Sequence, residues 1–191
     1  MADHLGYHAK PAVVSQTQLD DLIENAGHIE LFRGVQPSSG GITAGAIAEH
    51  LRTGEFHYIG SGIFGHGTYT STRNQTALAY AGVNGSNLPT LSAKKTTGQV
   101  GQGYVIRMGL RPDAKVANYE TLQTDFGMFH KKMTQTIMQE NLGNDAYAAF
   151  SDLSAYAMTR GYDAIHVEGS MQGESFYVIL NRSAVVVQQH E

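Results

Sequence analysis

The sequence predicts one α+β domain spanning residues 1–191. Its composition is rich in glycine, at 22 residues, and poor in proline, at 4, and only 16% of its residues are charged. That mixture is typical of a β-rich globular protein with many tight turns. Predicted strands and helices do not alternate in the regular βαβ manner, which favours α+β over a doubly wound sheet. No internal repeat or linker divides the chain.

Apolar spacing and end signals predict the helices. In residues 15–26 three apolar side chains share one face, and Gly27 ends the segment. In residues 43–53, Ile47 and Leu51 share a face. Further helices are predicted over 73–81, over 119–141 with a possible break at Gly127, and over 145–160, which Gly161 stops.

The remaining pattern predicts strands and irregular segments. Alternation and β-branched residues predict strands over 28–35, 68–71, 104–110, 162–168, 176–181 and 184–188. Between these elements, residues 1–14 form a loose lead-in, 60–67 a glycine-rich loop and 82–103 a long surface excursion.

Composition excludes several classes of protein. The chain has no cysteine, so disulfides, cysteine-ligated zinc and thiol nucleophiles are ruled out. The net charge of −4 argues against a protein held to nucleic acid mainly by phosphate contacts. No secretory signal and no run of 18 apolar residues is visible. We therefore expect no membrane partner and a cytoplasmic location in the producing or a target cell.

The familiar nucleotide and metal motifs are missing. There is no GxxxxGK[ST] phosphate loop, and the glycines of 62–67 stand in the wrong order for a dinucleotide fingerprint. The nine histidines lack HExxH spacing. We expect no metal.

Three separated segments carry groups suited to chemistry. Arg33 stands in the apolar strand 31–35 (LFRGV), and a buried guanidinium needs an anionic partner, either a ligand or a structural carboxylate. In 65–80, glycines let backbone approach a ligand, and two tyrosines could hold a flat ring, although a plain turn and core helix fit as well. Glu174 stands where a flexible loop enters an apolar strand, as a functional carboxylate or a solvated charge.

In this order, the three segments resemble the mono-ADP-ribosyltransferase superfamily of the Arg-Ser-Glu type, over about residues 29–187. The middle block is similar to the NAD site of poly-ADP-ribose polymerases, and 105–115 and 177–187 look like transferases of phage head proteins and bacterial polymorphic toxins. The resemblance implies two packed, mainly antiparallel sheets around an NAD cleft, with flanking helices. The implied activity transfers ADP-ribose from NAD to a macromolecule and releases nicotinamide, without a metal.

The resemblance also implies roles for residues in the cleft. Arg33 would bind the pyrophosphate and adjacent ribose, and the backbone of Gly34 would contact the nicotinamide amide. Ser71 would position the other ribose and the catalytic glutamate. Tyr69 and Tyr80 would flank the nicotinamide ring, whose positive charge favours an aromatic face.

Two residues of the C-terminal segment complete the implied site. Glu174 would be the catalytic glutamate that stabilises positive charge on the ribose, with Glu168 as the alternative. Gln172, two residues before Glu174, would recognise the acceptor. In the family a Gln-x-Glu pair is typical of enzymes that modify asparagine or guanine bases, whereas Glu-x-Glu accompanies arginine acceptors.

Such a protein would act as a toxin or effector. Its partners would be a macromolecular acceptor, protein or RNA, and an immunity protein or antitoxin. Three alternatives stay open: an NAD glycohydrolase on the same fold, an inactive binding module such as a phage structural domain, and a tyrosine-lined RNA-binding module.

Overall fold

The computed structural model describes residues 10–54, 60–83, 95–140, 151–169 and 173–190. These residues form helices packed against a large mixed sheet, which confirms the α+β class. The helices are α1 (Gln16–Asn25), α2 (Ala44–Thr53), α3 (Asn74–Tyr80), α4 (Tyr119–Glu140) and α5 (Leu153–Thr159).

Ten strands make up the sheet. They are β1 (Ala12–Val14), β2 (Ile29–Val35), β3 (Gly60–Gly62), β4 (Gly65–Ser71), β5 (Gly98–Val100), β6 (Gly103–Leu110), β7 (Val116–Asn118), β8 (Ala164–Glu168), β9 (Ser175–Ile179) and β10 (Val185–Gln188). The hydrogen-bonded order is β1-β10-β6-β2-β4-β9-β8-β7, with β3 on β4 and β5 on β6. All adjacent pairs are antiparallel except β1 with β10 and β7 with β8.

The sheet nearly divides between β2 and β4. These two strands pair through one residue pair, Phe32 with Ser71, whereas β2 pairs with β6 over seven. The resemblance implied two packed sheets, but hydrogen bonds join the strands into one path whose halves diverge beyond this single pair. The divergence opens the space that holds the candidate site.

One apolar core joins the two halves. Leu31, Ile106 and Val187 from the first half belong to the same buried cluster as Tyr177 and Ile179 from the second. A second cluster packs α4 and α5 against β8 and β9, and a third packs α3 against β2 and β6. The halves therefore hold each other in place by burial of apolar surface.

Local sequence explains the helix ends. Ser15 begins α1 with a capping box, in which its hydroxyl accepts from the backbone N–H of Gln18, whose amide oxygen accepts from the Ser15 N–H. Thr43 begins α2 by accepting the N–H of Ala46, and Gly54 ends it in the left-handed conformation at φ 71°. Both helices match their predicted spans to within a residue or two.

Four short strands were missed by the sequence analysis. Residues 1–14 were predicted to be a loose lead-in, and this prediction is wrong for β1, which pairs with β10 at the edge of the sheet. Residues 1–9 lie outside the described part. The predicted loop 60–67 is a hairpin of β3 and β4, and the predicted excursion 82–103 contains β5. The fourth missed strand is β7. Three residues are too few for a periodic pattern, and glycines carry no side chains to alternate.

One predicted helix differs from the observed one, because α4 runs through Gly127 without a break. Of the predicted helix 145–160, the described part contains α5, which Asp152 caps by accepting the N–H of Ala155. Residues 141–150 lie outside the described part.

Candidate functional site

A cavity of about 470 Å³ lies where β2 and β4 diverge. Its walls come from β2, β4, the β3–β4 hairpin, α3 and the start of β9. The lining residues are Phe32, Arg33, Gly34, Gly62, Ile63, Phe64, Tyr69, Thr70, Ser71, Ala77, Tyr80 and Phe176. Five of the predicted site residues, separated in sequence, therefore share one cavity: Arg33, Gly34, Tyr69, Ser71 and Tyr80.

Glu174 contacts Ser71, one of the residues that line this cavity. The Ser71 hydroxyl donates to Glu174 Oε1 at 3.1 Å, and the Thr76 hydroxyl donates to the same oxygen. Glu174 is buried, with 5% of its surface exposed. A buried carboxylate is costly unless it accepts hydrogen bonds, and these two hydroxyls supply them. The arrangement keeps a carboxyl group beside the cavity wall.

Strand register brings Glu174 to Ser71. Ser71 is the last β4 residue paired with β9, opposite Phe176. Thr72 extends the ladder by one step, because its N–H donates to the Ser175 carbonyl at 2.9 Å and its hydroxyl accepts the Ser175 N–H at 2.9 Å. Glu174 therefore enters β9 at a fixed position.

Gly169 makes room for this entry. A Cβ at Gly169 would lie 2.8 Å from Glu174 Cγ and 2.9 Å from its carbonyl oxygen. The N–H of Gly169 donates to that carbonyl at 3.0 Å. Only a residue without a side chain fits so close to Glu174.

The same register separates Glu168 from the site. Glu168 pairs with Ser175, and directly paired residues of antiparallel strands project to the same face. Glu174 binds Ser71, whose partner Phe176 lies on the opposite face, because side chains alternate along a strand. Glu168 is exposed on its own face. The structure therefore places Glu174, and not Glu168, in contact with the cavity-lining Ser71.

Arg33 lies on the β2 wall and is buried, with 9% exposed. Its Nη1 donates to the carbonyl oxygen of Tyr69 at 3.1 Å, across the gap where β2 and β4 no longer pair through their backbones. A guanidinium presents five donors in a planar fork. The positively charged Arg33 side chain therefore lines the cavity, in a position suited to bind an anion.

The two predicted tyrosines differ in their surroundings. Tyr69 is held in the β3–β4 hairpin: its hydroxyl donates to the Gly65 carbonyl at 2.6 Å and accepts the Phe64 N–H at 3.2 Å. Partial burial raises the pKa of Tyr69 above its ordinary value, and the Phe64 N–H works against that rise. Tyr80, at the end of α3, is 65% exposed. Tyr69 thus forms a fixed wall and Tyr80 an open rim.

Gly34 has a packing role besides lining the cavity. A Cβ there would overlap the Ala77 carbonyl and lie 2.7 Å from the Ala81 nitrogen, so α3 rests directly on the backbone of β2. This contact sets the position of α3 beside the cavity.

Gln172 lies outside the described residues. Conversely, Thr76 contacts the site although sequence analysis did not select it. The only available signal was a hydroxyl in the first turns of the helix that follows Ser71, and that signal is common to many surface threonines.

No protein-family model, curated protein or solved structure matches this chain. Within the described ranges, no helix combines the length and apolar character needed to cross a bilayer. The same residues include no cluster of three or more side chains suited to hold a metal ion.

Proposed function

We propose that this protein is an NAD-dependent mono-ADP-ribosyltransferase with an ADP-ribosyltransferase-like fold. The observation that carries the proposal is that Arg33 and Ser71 line one cavity and that Glu174, from a third segment, accepts a hydrogen bond from Ser71. The sequence resemblance alone points to these same three residues.

The cavity suits NAD by size and by chemistry. Small-molecule sites commonly enclose about 300–1,000 Å³, and this one encloses about 470 Å³. NAD carries an anionic pyrophosphate, two riboses and a cationic aromatic ring. The cavity offers a buried guanidinium from Arg33, hydroxyls from β4, and aromatic rings from Tyr69 and Tyr80. The pyrophosphate, the riboses and the nicotinamide ring thus each have a group of matching chemistry in the cavity.

Each residue has a distinct task in this proposal. When bound, NAD would supply the bond between its ribose and the nicotinamide, and breaking that bond develops positive charge on the ribose. The Glu174 carboxylate would stabilise this charge, which grows only as the bond breaks, and so would lower the barrier rather than tighten binding. Arg33 would bind the pyrophosphate by paired, charge-assisted hydrogen bonds.

The remaining residues would bind and orient. Ser71 would hold the carboxylate and the nearby ribose, since its hydroxyl already contacts Glu174 Oε1. Tyr69 and Tyr80 would contact the nicotinamide ring, where a cation on an aromatic face contributes about 0.5–2 kcal/mol.

The acceptor would be a protein amide or a nucleic-acid base, recognised by Gln172. An amide side chain offers both a donor and an acceptor, which matches another amide or a base edge. In this proposal the protein acts in the cytoplasm as a toxin or effector of bacterial or phage type. It would require an immunity protein or antitoxin in the producing cell.

The test is transfer of labelled ADP-ribose from NAD in a bacterial lysate. Label bound to macromolecules, removed by either protease or nuclease, supports the proposal and identifies the acceptor class. Release of nicotinamide without bound label would instead identify an NAD glycohydrolase. Absence of both products, with wild-type protein shown to be folded, contradicts the proposal.

A further inference from the structure

Thr76 lies on α3 and binds the same carboxylate oxygen as Ser71. Both hydroxyls donate to Glu174 Oε1. A carboxylate oxygen has two lone-pair sites, so these two donors fill Oε1. Neither of these two donors binds Oε2.

The direction of the Ser71 proton is also determined. The backbone N–H of Arg73 donates to Ser71 Oγ at 3.0 Å. A hydroxyl has a single proton, and the one on Ser71 is directed to Glu174 Oε1. Two hydroxyls from different elements, a strand and a helix, therefore fix the orientation of the carboxylate.

α3 is a rigid support for Thr76. Its backbone at Ala77 packs against Gly34 of β2, where no Cβ would fit. At its first residue, the Asn74 side chain donates to the Thr96 carbonyl at 2.8 Å and accepts the Thr96 N–H at 3.0 Å. Contacts before and after Thr76 thus hold its hydroxyl at Glu174.

We propose that Thr76 is a positioning residue for Glu174 in the NAD-cleaving reaction. The inference rests on the function proposed above. By saturating Oε1 from a fixed helix, Thr76 keeps the carboxylate oriented so that Oε2 serves the ligand. Thr76 acts through Glu174, so its loss lowers kcat and leaves KM unchanged.

The experiment compares Thr76→Val, which keeps the shape but removes the hydroxyl, with Thr76→Ser, which keeps the hydroxyl. Thr124→Val is the matched control, because Thr124 is an exposed helical threonine whose hydroxyl donates to the Glu120 carbonyl. Nicotinamide release gives kcat and KM. A second measurement uses the protein without NAD. The NMR resonance of the isotope-labelled Glu174 carboxyl carbon, assigned by comparison with Glu174→Gln, reports the hydrogen bond from Thr76 at alkaline pH.

We expect Thr76→Val to lower kcat about 10- to 100-fold, the size of effect that a misplaced reacting group produces, with KM within about twofold. Thr76→Val also shifts the Glu174 carboxyl resonance. Thr76→Ser restores both kcat and the resonance, and Thr124→Val changes neither of them. Wild-type kcat in Thr76→Val, or loss of kcat with an unshifted resonance, overturns the inference.

The two proposals fail in different ways. If wild-type protein releases no nicotinamide, the proposed function fails, and the resonance alone decides whether Thr76 holds the carboxylate, with an unshifted signal refuting it. If Thr76→Val does not fold, Thr76→Ala carries the same comparison, because it also removes the hydroxyl.

Discussion

Ser71 Oγ lies 3.1 Å from Glu174 Oε1 although 103 residues separate the two along the chain. The pairing of β4 with β9 brings them together, and the bonds between Thr72 and Ser175 extend that pairing to the edge of the cavity. The charge at Glu174 is thus fixed by the sheet and by α3, whereas Arg33 is fixed by β2. The divergence of β2 from β4 sets the space between them.

Replacing Arg33 with alanine tests the anion-binding role. We expect NAD affinity to fall about 10- to 100-fold, because a hydrogen bond to a charged group contributes about 1.5–3 kcal/mol. Arg33→Lys restores part of the affinity, since a single ammonium cannot make paired hydrogen bonds. Calorimetry with NAD measures both. Wild-type NAD affinity in a folded Arg33→Ala protein would show that Arg33 has a structural role and does not bind NAD.

Two glycine substitutions test the packing of α3. Gly34→Ala places a Cβ on the backbone of α3, and we expect it to lower the free energy of unfolding by about 1–3 kcal/mol or more. Gly127→Ala is the matched control: its Cβ would meet no atom within 4 Å, and alanine in a helix interior stabilises by about 0.5–1 kcal/mol. Urea denaturation measures the free energy of unfolding of each variant, and we expect the two changes to have opposite signs. Equal effects of both substitutions would contradict the packing argument.

The pH dependence of stability tests the burial of Tyr177. Burial raises the pKa of Tyr177 above its ordinary 10.0, so the native state keeps the proton to higher pH than the unfolded chain. The unfolded chain therefore loses its proton first, and stability falls as pH rises through this range. Tyr177→Phe has no phenolic proton. We expect near wild-type stability at neutral pH and a smaller loss at alkaline pH, measured by denaturation. An unchanged alkaline loss would refute this.

Substitution of Gln172 tests the choice of acceptor. We expect Gln172→Ala and Gln172→Glu to abolish transfer to macromolecules while sparing slow NAD hydrolysis, because acceptor contacts are lost and the chemistry at Glu174 remains. Gln123→Ala, on an exposed position of α4, is the control and keeps both activities. Mass spectrometry identifies the modified group. Arginine as the main product, or equal loss of both activities, would contradict the assignment.

The sequence predicted the residues proposed to contact NAD better than the residues that hold them in position. Arg33 was found because a charged side chain is distinctive in an apolar strand, and Ser71 was found because its segment resembles the family motif. The choice between Glu174 and Glu168 needed strand register, since a shift of one residue exchanges the two faces of a strand. Thr76 was missed because its role depends on where α3 packs, and that depends on contact with Gly34.

The fold was predictable to a similar degree. Long elements such as α1 and β6 have periodic apolar patterns and caps, and they were found. The β3–β4 hairpin was missed because glycines dominate it, and its strand character comes from pairing rather than from side chains. The divergence of β2 from β4 has no local signal, because it arises from tertiary packing on both sides of the gap.

In the proposed function, Glu174 stabilises the positive charge that develops on the ribose of NAD. The most direct test is nicotinamide release by purified protein, comparing Glu174→Ala with Glu168→Ala, a control that removes a nearby carboxylate on the opposite face. We expect Glu174→Ala to lower kcat about 10²–10³-fold with NAD affinity nearly unchanged, and Glu168→Ala to behave like wild type. Full turnover by Glu174→Ala, or loss of turnover only in Glu168→Ala, would contradict the claim.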